Sequence, residues 1–264
     1  MKYDADYSIS KDQHVWAYSP DMKPVLTVDP GAKIHLETWD CFTGQVNSEE
    51  DTVEKLDLNR VNSATGPIFV NGAQPGDTLS VTFHRIDPGS QGAGMVIPEW
   101  GQLIDHCQAP VTRIFKVKDG IIHMNDKVSW PQRPMLGVVG VAPAEGEILT
   151  FLAGPHGGNL DDHMNGIGAT LHIPVFQPGA LLAIGDMHAS MGDGEISGTG
   201  VEIGGDVLIS VDVIKNKHAG FPITETNDAW YTHGVTDNDL NGAIKLSCEE
   251  AAKLLVDEIG RAHV

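Results

Sequence analysis

The sequence predicts a mainly β protein of sandwich or barrel type, built as two related halves, with an α element at the end of the chain. Three observations lead there. Short runs of alternating apolar and polar residues, bounded by Gly, Pro, Asn and Asp, recur along a chain that holds 30 Gly and 15 Pro in 264 residues; this is the pattern of half-buried strands joined by tight turns. A Pro-Gly unit occurs three times. Only the stretch from Asp239 to Val256 shows a sustained helical spacing of apolar residues.

The repeat reads Asp29-Pro30-Gly31-Ala32-Lys33-Ile34-His35-Leu36, Gln74-Pro75-Gly76-Asp77-Thr78-Leu79-Ser80-Val81 and Gln177-Pro178-Gly179-Ala180-Leu181-Leu182-Ala183-Ile184. Pro presets φ for the first central position of a turn, and Gly accepts the positive φ of the second. Each unit therefore predicts a type II turn that launches a strand. Pro67-Ile68-Phe69-Val70 and Ile173-Pro174-Val175-Phe176 precede the second and third copies and extend the likeness, which favours two β-rich halves, 1–130 and 131–257, sharing one site. Leu240, Ala243, Ile244, Cys248, Ala251, Ala252 and Leu255 then fall on one helical face.

The net charge of -19 disfavours nucleic acid and anionic membrane surfaces as partners, because phosphate would be repelled. A small neutral molecule or a metal ion fits better. The start of the chain lacks a signal-peptide pattern, and no window approaches the ~18 apolar residues of a membrane span. A cytoplasmic protein is expected. Cys41, Cys107 and Cys248 are odd in number and lack CxxC spacing, so a metal site would use His and carboxylates.

The polar residues that follow the turns carry the functional signal. Alternation puts Leu182, Ile184, Asp186 and His188 on one strand face, so an apolar face continues into a carboxylate and an imidazole. Burying them requires a partner, and a divalent cation with oxygen and imidazole ligands supplies one. Gly192, Asp193, Gly194 and Glu195 follow. Upstream, Gly154-Pro155-His156-Gly157-Gly158-Asn159-Leu160-Asp161-Asp162-His163 adds a second polar cluster, and Asp40 arrives from the first half. Glycines there are expected to let backbone approach a ligand. Cys41 reads as a packing residue, and Gly200-Val201-Glu202-Ile203-Gly204-Gly205 as a loop or bend.

Trp39-Asp40-Cys41-Phe42, Asn62-Ser63-Ala64-Thr65-Gly66-Pro67-Ile68-Phe69-Val70, the Gly154–Asp161 segment and Gly185-Asp186-Met187-His188-Ala189-Ser190-Met191-Gly192-Asp193-Gly194-Glu195 together resemble the acetamidase/formamidase family in order and spacing. The likeness runs from about residue 10 to 257. It implies hydrolysis of short amides to carboxylate and ammonia, a duplicated CUB-like or jelly-roll-like β fold, and a divalent metal, with zinc expected and calcium the alternative. It places Asp40, Asn159, Asp161, Asp186, His188 and Glu195 in the family's polar centre. From these we read Asp40, Asn159, Asp161, Asp186 and His188 as metal ligands and Glu195 as catalytic; His156, from the upstream glycine-rich cluster, is also read as catalytic. Glu195, one flexible turn beyond the ligand strand, is read as the proton shuttle. A small amide substrate and a homo-oligomer are the expected partners.

Two other functions are weighed: a lactamase acting on a small cyclic amide, and a non-catalytic calcium-dependent binding module, which His188 and Glu195 disfavour. Family members extend past the 239–256 helix. Here Glu258-Ile259-Gly260-Arg261-Ala262-His263-Val264 reads as translated sequencing adapter, so the natural sequence is expected to continue differently after Asp257.

Overall fold

A computed structural model describes residues 3–217, 220–235 and 239–260. Two seven-stranded sheets dominate it, with a four-stranded sheet and a two-stranded ribbon beside them. In the first large sheet the order is Tyr7–Ile9, Lys33–Thr38, Gly205–Ile214, Thr78–Pro88, Thr170–Pro174, Ile223–Glu225, Trp230–Thr232. In the second it is Ala153–Gly154, Gly157–Asn159, Met135–Gly140, Ala180–His188, Ala64–Val70, His14–Val15, with Leu26–Val28 pairing parallel to Ala64–Val70. The mainly β prediction holds. Both large sheets take strands from either side of residue 130, so the halves 1–130 and 131–257 interleave.

The three Pro-Gly units behave as turn chemistry requires. Gly31, Gly76 and Gly179 have φ of +88°, +94° and +77°. Ala32, Asp77 and Ala180 donate their N–H groups to the carbonyls of Asp29, Gln74 and Gln177, closing each turn. The strands Lys33–Thr38, Thr78–Pro88 and Ala180–His188 follow within two residues.

One apolar cluster joins the two large sheets. Ile34, Leu36, Phe83, Val207 and Ile209 come from the first, and Ile68, Leu136, Val139, Leu182 and Ile184 from the second; all are fully buried. Burial of this kind is the main favourable term in folding. Every residue of Ala180–His188 is buried, so this central strand carries Asp186 and His188 directly out of the core.

The C-terminal helix runs from Leu240 to Ile259, with the Asp239 carboxylate accepting the Gly242 N–H and Gly260 at φ +79° ending it. The helix follows the predicted spacing, and part of its apolar face is uncovered: Leu240, Ile244, Leu255 and Val256 are exposed. Glu250 is buried, and its carboxylate accepts the Gly220 N–H. Glu258 is exposed and pairs with Lys217, while residues 261–264 of the adapter-like tail lie outside the described residues. Among the described residues no helix is long and apolar enough to cross a membrane.

Close packing at the central strand sets a test. A Cβ built on Gly185 would sit 2.0 Å from the Ser63 carbonyl oxygen of the neighbouring strand. Gly185→Ala is expected to cost roughly 1–3 kcal/mol of stability, the usual range for an overfilled core. Chemical denaturation measures this, and an unchanged midpoint would contradict the tight strand pairing.

Candidate active site

The strand Ala180–His188 delivers Asp186 and His188 to one place, as its apolar face foretells. His188 Nε2 lies 3.4 Å from Asp186 Oδ1, 3.1 Å from Glu202 Oε2 and 4.0 Å from Asp161 Oδ1. His188, Asp186 and Glu202 are 1–3% exposed at the side chain. Asp161 reaches in from the segment after Gly157–Asn159. The neighbouring strand makes the room: a Cβ on Gly137 would lie 2.5 Å from Asp161 Oδ1 and 2.6 Å from Asp186 Oδ2.

Four of the ten non-glycine residues at positive φ among the described residues lie here. Asn62, Asp161, Asp186 and Glu195 all line the cavity, and all have positive φ, of 51°, 44°, 54° and 41°. Non-glycine residues adopt this region at a cost, and such outliers gather at functional sites.

A line of hydrogen bonds orients one carboxylate. The Cys41 thiol donates to Asn62 Oδ1 at 2.6 Å, Asn62 Nδ2 to Asn159 Oδ1 at 3.4 Å, and Asn159 Nδ2 to Asp161 Oδ2 at 2.6 Å. That occupies Oδ2 of Asp161 and leaves Oδ1 facing His188. Asp161 Oδ1, Asp186 Oδ1 and Glu202 Oε2 are buried without a hydrogen-bond partner.

The electrostatics follow from burial and crowding. Burial, then the charges of Asp186 and Glu195, push the Asp161 carboxyl up to about 8. Burial and the Asp186 charge hold Glu202 well above the carboxylate range. Burial by itself would lower His188, but Glu202 and Asp186 overcome it and keep the imidazole well above its usual value. Glu195 is raised chiefly by burial. Cys41 is raised well above the thiol range by burial and the Asp186 charge, so it stays a neutral donor and not a thiolate nucleophile.

Carboxylate oxygens that lack a hydrogen-bond donor and crowd one imidazole are the donor chemistry of a divalent cation such as zinc or calcium. Donor atoms lie within 4.8 Å of one another in three overlapping groups: Asp161, Asp186 and His188; His188, Glu195 and Glu202; Cys41, Asp186 and Glu202. These residues fit a cation on charge, burial and unmet valence.

The other residues singled out from sequence take other parts. Both Asp40 oxygens accept backbone N–H groups of their own turn, Phe42 and Gly44 at 2.9 Å each, so Asp40 shapes the turn that presents Cys41. Asn159 holds Asp161 through its amide. His156 does not line the cavity; its ring packs edge-on to Tyr18 at 5.2 Å, with both nitrogens buried and unpaired. Gly157 and Gly158 permit close approach to the backbone at Val139 and Leu152 instead of to a ligand.

Three participants escaped the sequence reading. Glu202 sits in what reads as a bend, yet it bridges to both Ala93 and His188 as an isolated antiparallel pair. An acid between the apolar Val201 and Ile203 was the available signal. Asn62 and Cys41 carried no local pattern that separates them from turn and packing residues.

A family model described as "Acetamidase/Formamidase family" matches residues 2–153 and 149–236. The chain is similar to a recombinant predicted acetamidase/formamidase from the thermophile Thermoanaerobacter tengcongensis, with 40% identity and a TM-score of 0.92 over 94% of this chain and 82% of that one. An acetamidase from Bacillus halodurans gives 35% identity and a TM-score of 0.92 over 95% and 85% of the two chains. The acetamidase of Mycolicibacterium smegmatis is 28% identical, covering 84% of this chain and 72% of its own length.

His156 offers a pH test free of the acidic cluster. Burial lowers its pKa from 6.5 to about 4, so between these values the unfolded chain binds a proton that the folded chain refuses. Stability should therefore fall as pH drops through this window, by on the order of 3 kcal/mol at most. His156→Phe should remove that component. An identical pH profile for the two proteins would show that the ring finds a proton acceptor.

Proposed function

The chain belongs to the acetamidase/formamidase family, and from that premise we propose that the acidic cavity hydrolyses a short linear amide to a carboxylate and ammonia. The observation that carries this reading is the convergence, in an open cavity, of Glu195 and three further carboxylates on one imidazole.

Hydrolysis needs an activated water and a proton for the departing nitrogen. Glu195 takes a proton from water as the new C–O bond forms, then gives it to nitrogen as the C–N bond breaks and its electron pair leaves with ammonia. Burial raises the Glu195 pKa, which brings the carboxylate nearer the value suited to both tasks. Asn159 keeps Asp161 aimed at His188, and the neutral Cys41 thiol anchors that line through Asn62. A divalent ion, zinc or alternatively calcium, would be held by Asp161, Asp186, His188 and Glu202, where it would polarise the carbonyl and acidify water.

A cytoplasmic setting and a homo-oligomer belong to the same reading. The three cysteines are free, which suits a reducing compartment. Exposed Leu240 and Ile244 on the C-terminal helix suit a contact with a second copy.

The purified chain is expected to release ammonia from formamide and acetamide, and to do so faster than it opens a small lactam, followed by the amino acid formed. Absence of ammonia from either amide would overturn the assignment. Glu195→Gln should lower kcat by about 10²-fold or more; near-normal turnover would remove Glu195 from the mechanism. Gly137→Ala, whose Cβ intrudes between two carboxylates, should cost about 10²-fold in activity because small displacements of reacting groups are that expensive. Undiminished activity would mean that their spacing is not critical.

A further inference from the structure

The space above the acidic floor exceeds what formamide or acetamide needs. The cavity measures about 380 Å³, within the range of sites that enclose much larger organic ligands. Away from the carboxylates its walls are apolar: Leu56, Leu58, Ile97, Trp100 and Phe151, drawn from three separate stretches of chain. Leu58 is 59% exposed, Trp100 58% and Phe151 41%. Large apolar groups left in water around a cavity mark a binding surface.

This wall is continuous with the reacting end. Trp100 Nε1 donates to the Gly198 carbonyl at 3.1 Å, and its ring lies so close that a Cβ on Gly198 would meet Trp100 Cδ1 at 1.9 Å. The loop that carries Glu195 is thus docked on the tryptophan. Glu195 and the apolar wall therefore line one cavity.

We propose that Leu56, Leu58, Ile97, Trp100 and Phe151 form an acyl-binding subsite, and that the preferred substrate is a primary amide with an apolar acyl group of about four to seven carbons, straight-chain or phenyl. The proposal rests on the amide-hydrolysing reading and adds the substrate class. Neither a charged nor a strongly polar acyl group would be favoured at this wall, because four of the five residues are apolar and the Trp100 Nε1 is already bonded to Gly198.

The test is kcat/KM for ammonia release from formamide, acetamide, butyramide, hexanamide and benzamide, with the unmodified chain, Leu58→Ser and Phe151→Ala. One methylene enclosed in an apolar pocket is worth roughly tenfold or more, so even partial burial of the four additional methylenes of hexanamide on this half-exposed wall should raise it above acetamide by at least about tenfold. Each variant should reduce that ratio several-fold, mainly through KM. A flat or falling profile, with acetamide still hydrolysed, would overturn the subsite and leave the amidase reading intact. If the variants change the oligomeric mass by light scattering but not the chain-length profile, the wall is a contact between copies and the proposal falls. If no amide yields ammonia, hydrolysis itself fails. Calorimetric binding then decides the wall, hexanamide binding more tightly than acetamide supporting it and equal binding overturning it.

Discussion

Like charges taken out of water repel strongly, and Asp161, Asp186 and Glu202 are held together around the one imidazole of His188. Left alone, such a group relieves itself by binding protons, which is what the raised Asp161 and Glu202 pKa values describe. The fold prevents it from relaxing by movement instead. Asp186 and His188 are fixed on a strand buried along its whole length, and Glu202 is tied by backbone hydrogen bonds to Ala93. A cation would replace those protons, and the hydrogen-bond line from Cys41 to Asp161 leaves one oxygen free to meet it.

Holding this arrangement uses strain that the rest of the structure must offset. Positive φ at Asn62, Asp161, Asp186 and Glu195 costs up to about 1–3 kcal/mol each, least for Asn and Asp, which accept that region most readily. The large core between the two sheets is what makes this tolerable. Gly137 contributes by absence, since any side chain there would occupy the space of two carboxylates.

Much of this is legible in the sequence. Turn chemistry located three strand starts, because Pro and Gly act locally and their φ preferences need no tertiary information. Alternation along Leu182, Ile184, Asp186 and His188 pointed to a polar pair emerging from the core, although Asp186 itself adopts a left-handed conformation that simple alternation does not foresee. Glu202 was hidden because its role depends on pairing with residues 14 and 109 positions away in the chain. His156 drew notice through its glycine-rich surroundings, yet those glycines serve strand packing. The apolar stripe of the C-terminal helix was read correctly as a pattern, but a pattern does not say what covers it.

The proposal that the buried acidic cluster holds a divalent cation is open to direct test. The decisive measurement is the thermal unfolding midpoint of the chain after chelator treatment and again after reloading with Zn²⁺ or Ca²⁺, with metal content determined by elemental analysis. Binding to the folded state alone adds stability by mass action, and for a chain of this size each kcal/mol raises Tm by about 2–4 °C. The account predicts a clear rise on reloading, with stoichiometric metal, and its loss in Asp186→Asn. An unchanged midpoint with no bound metal would contradict it, and would mean that protons alone hold these carboxylates together.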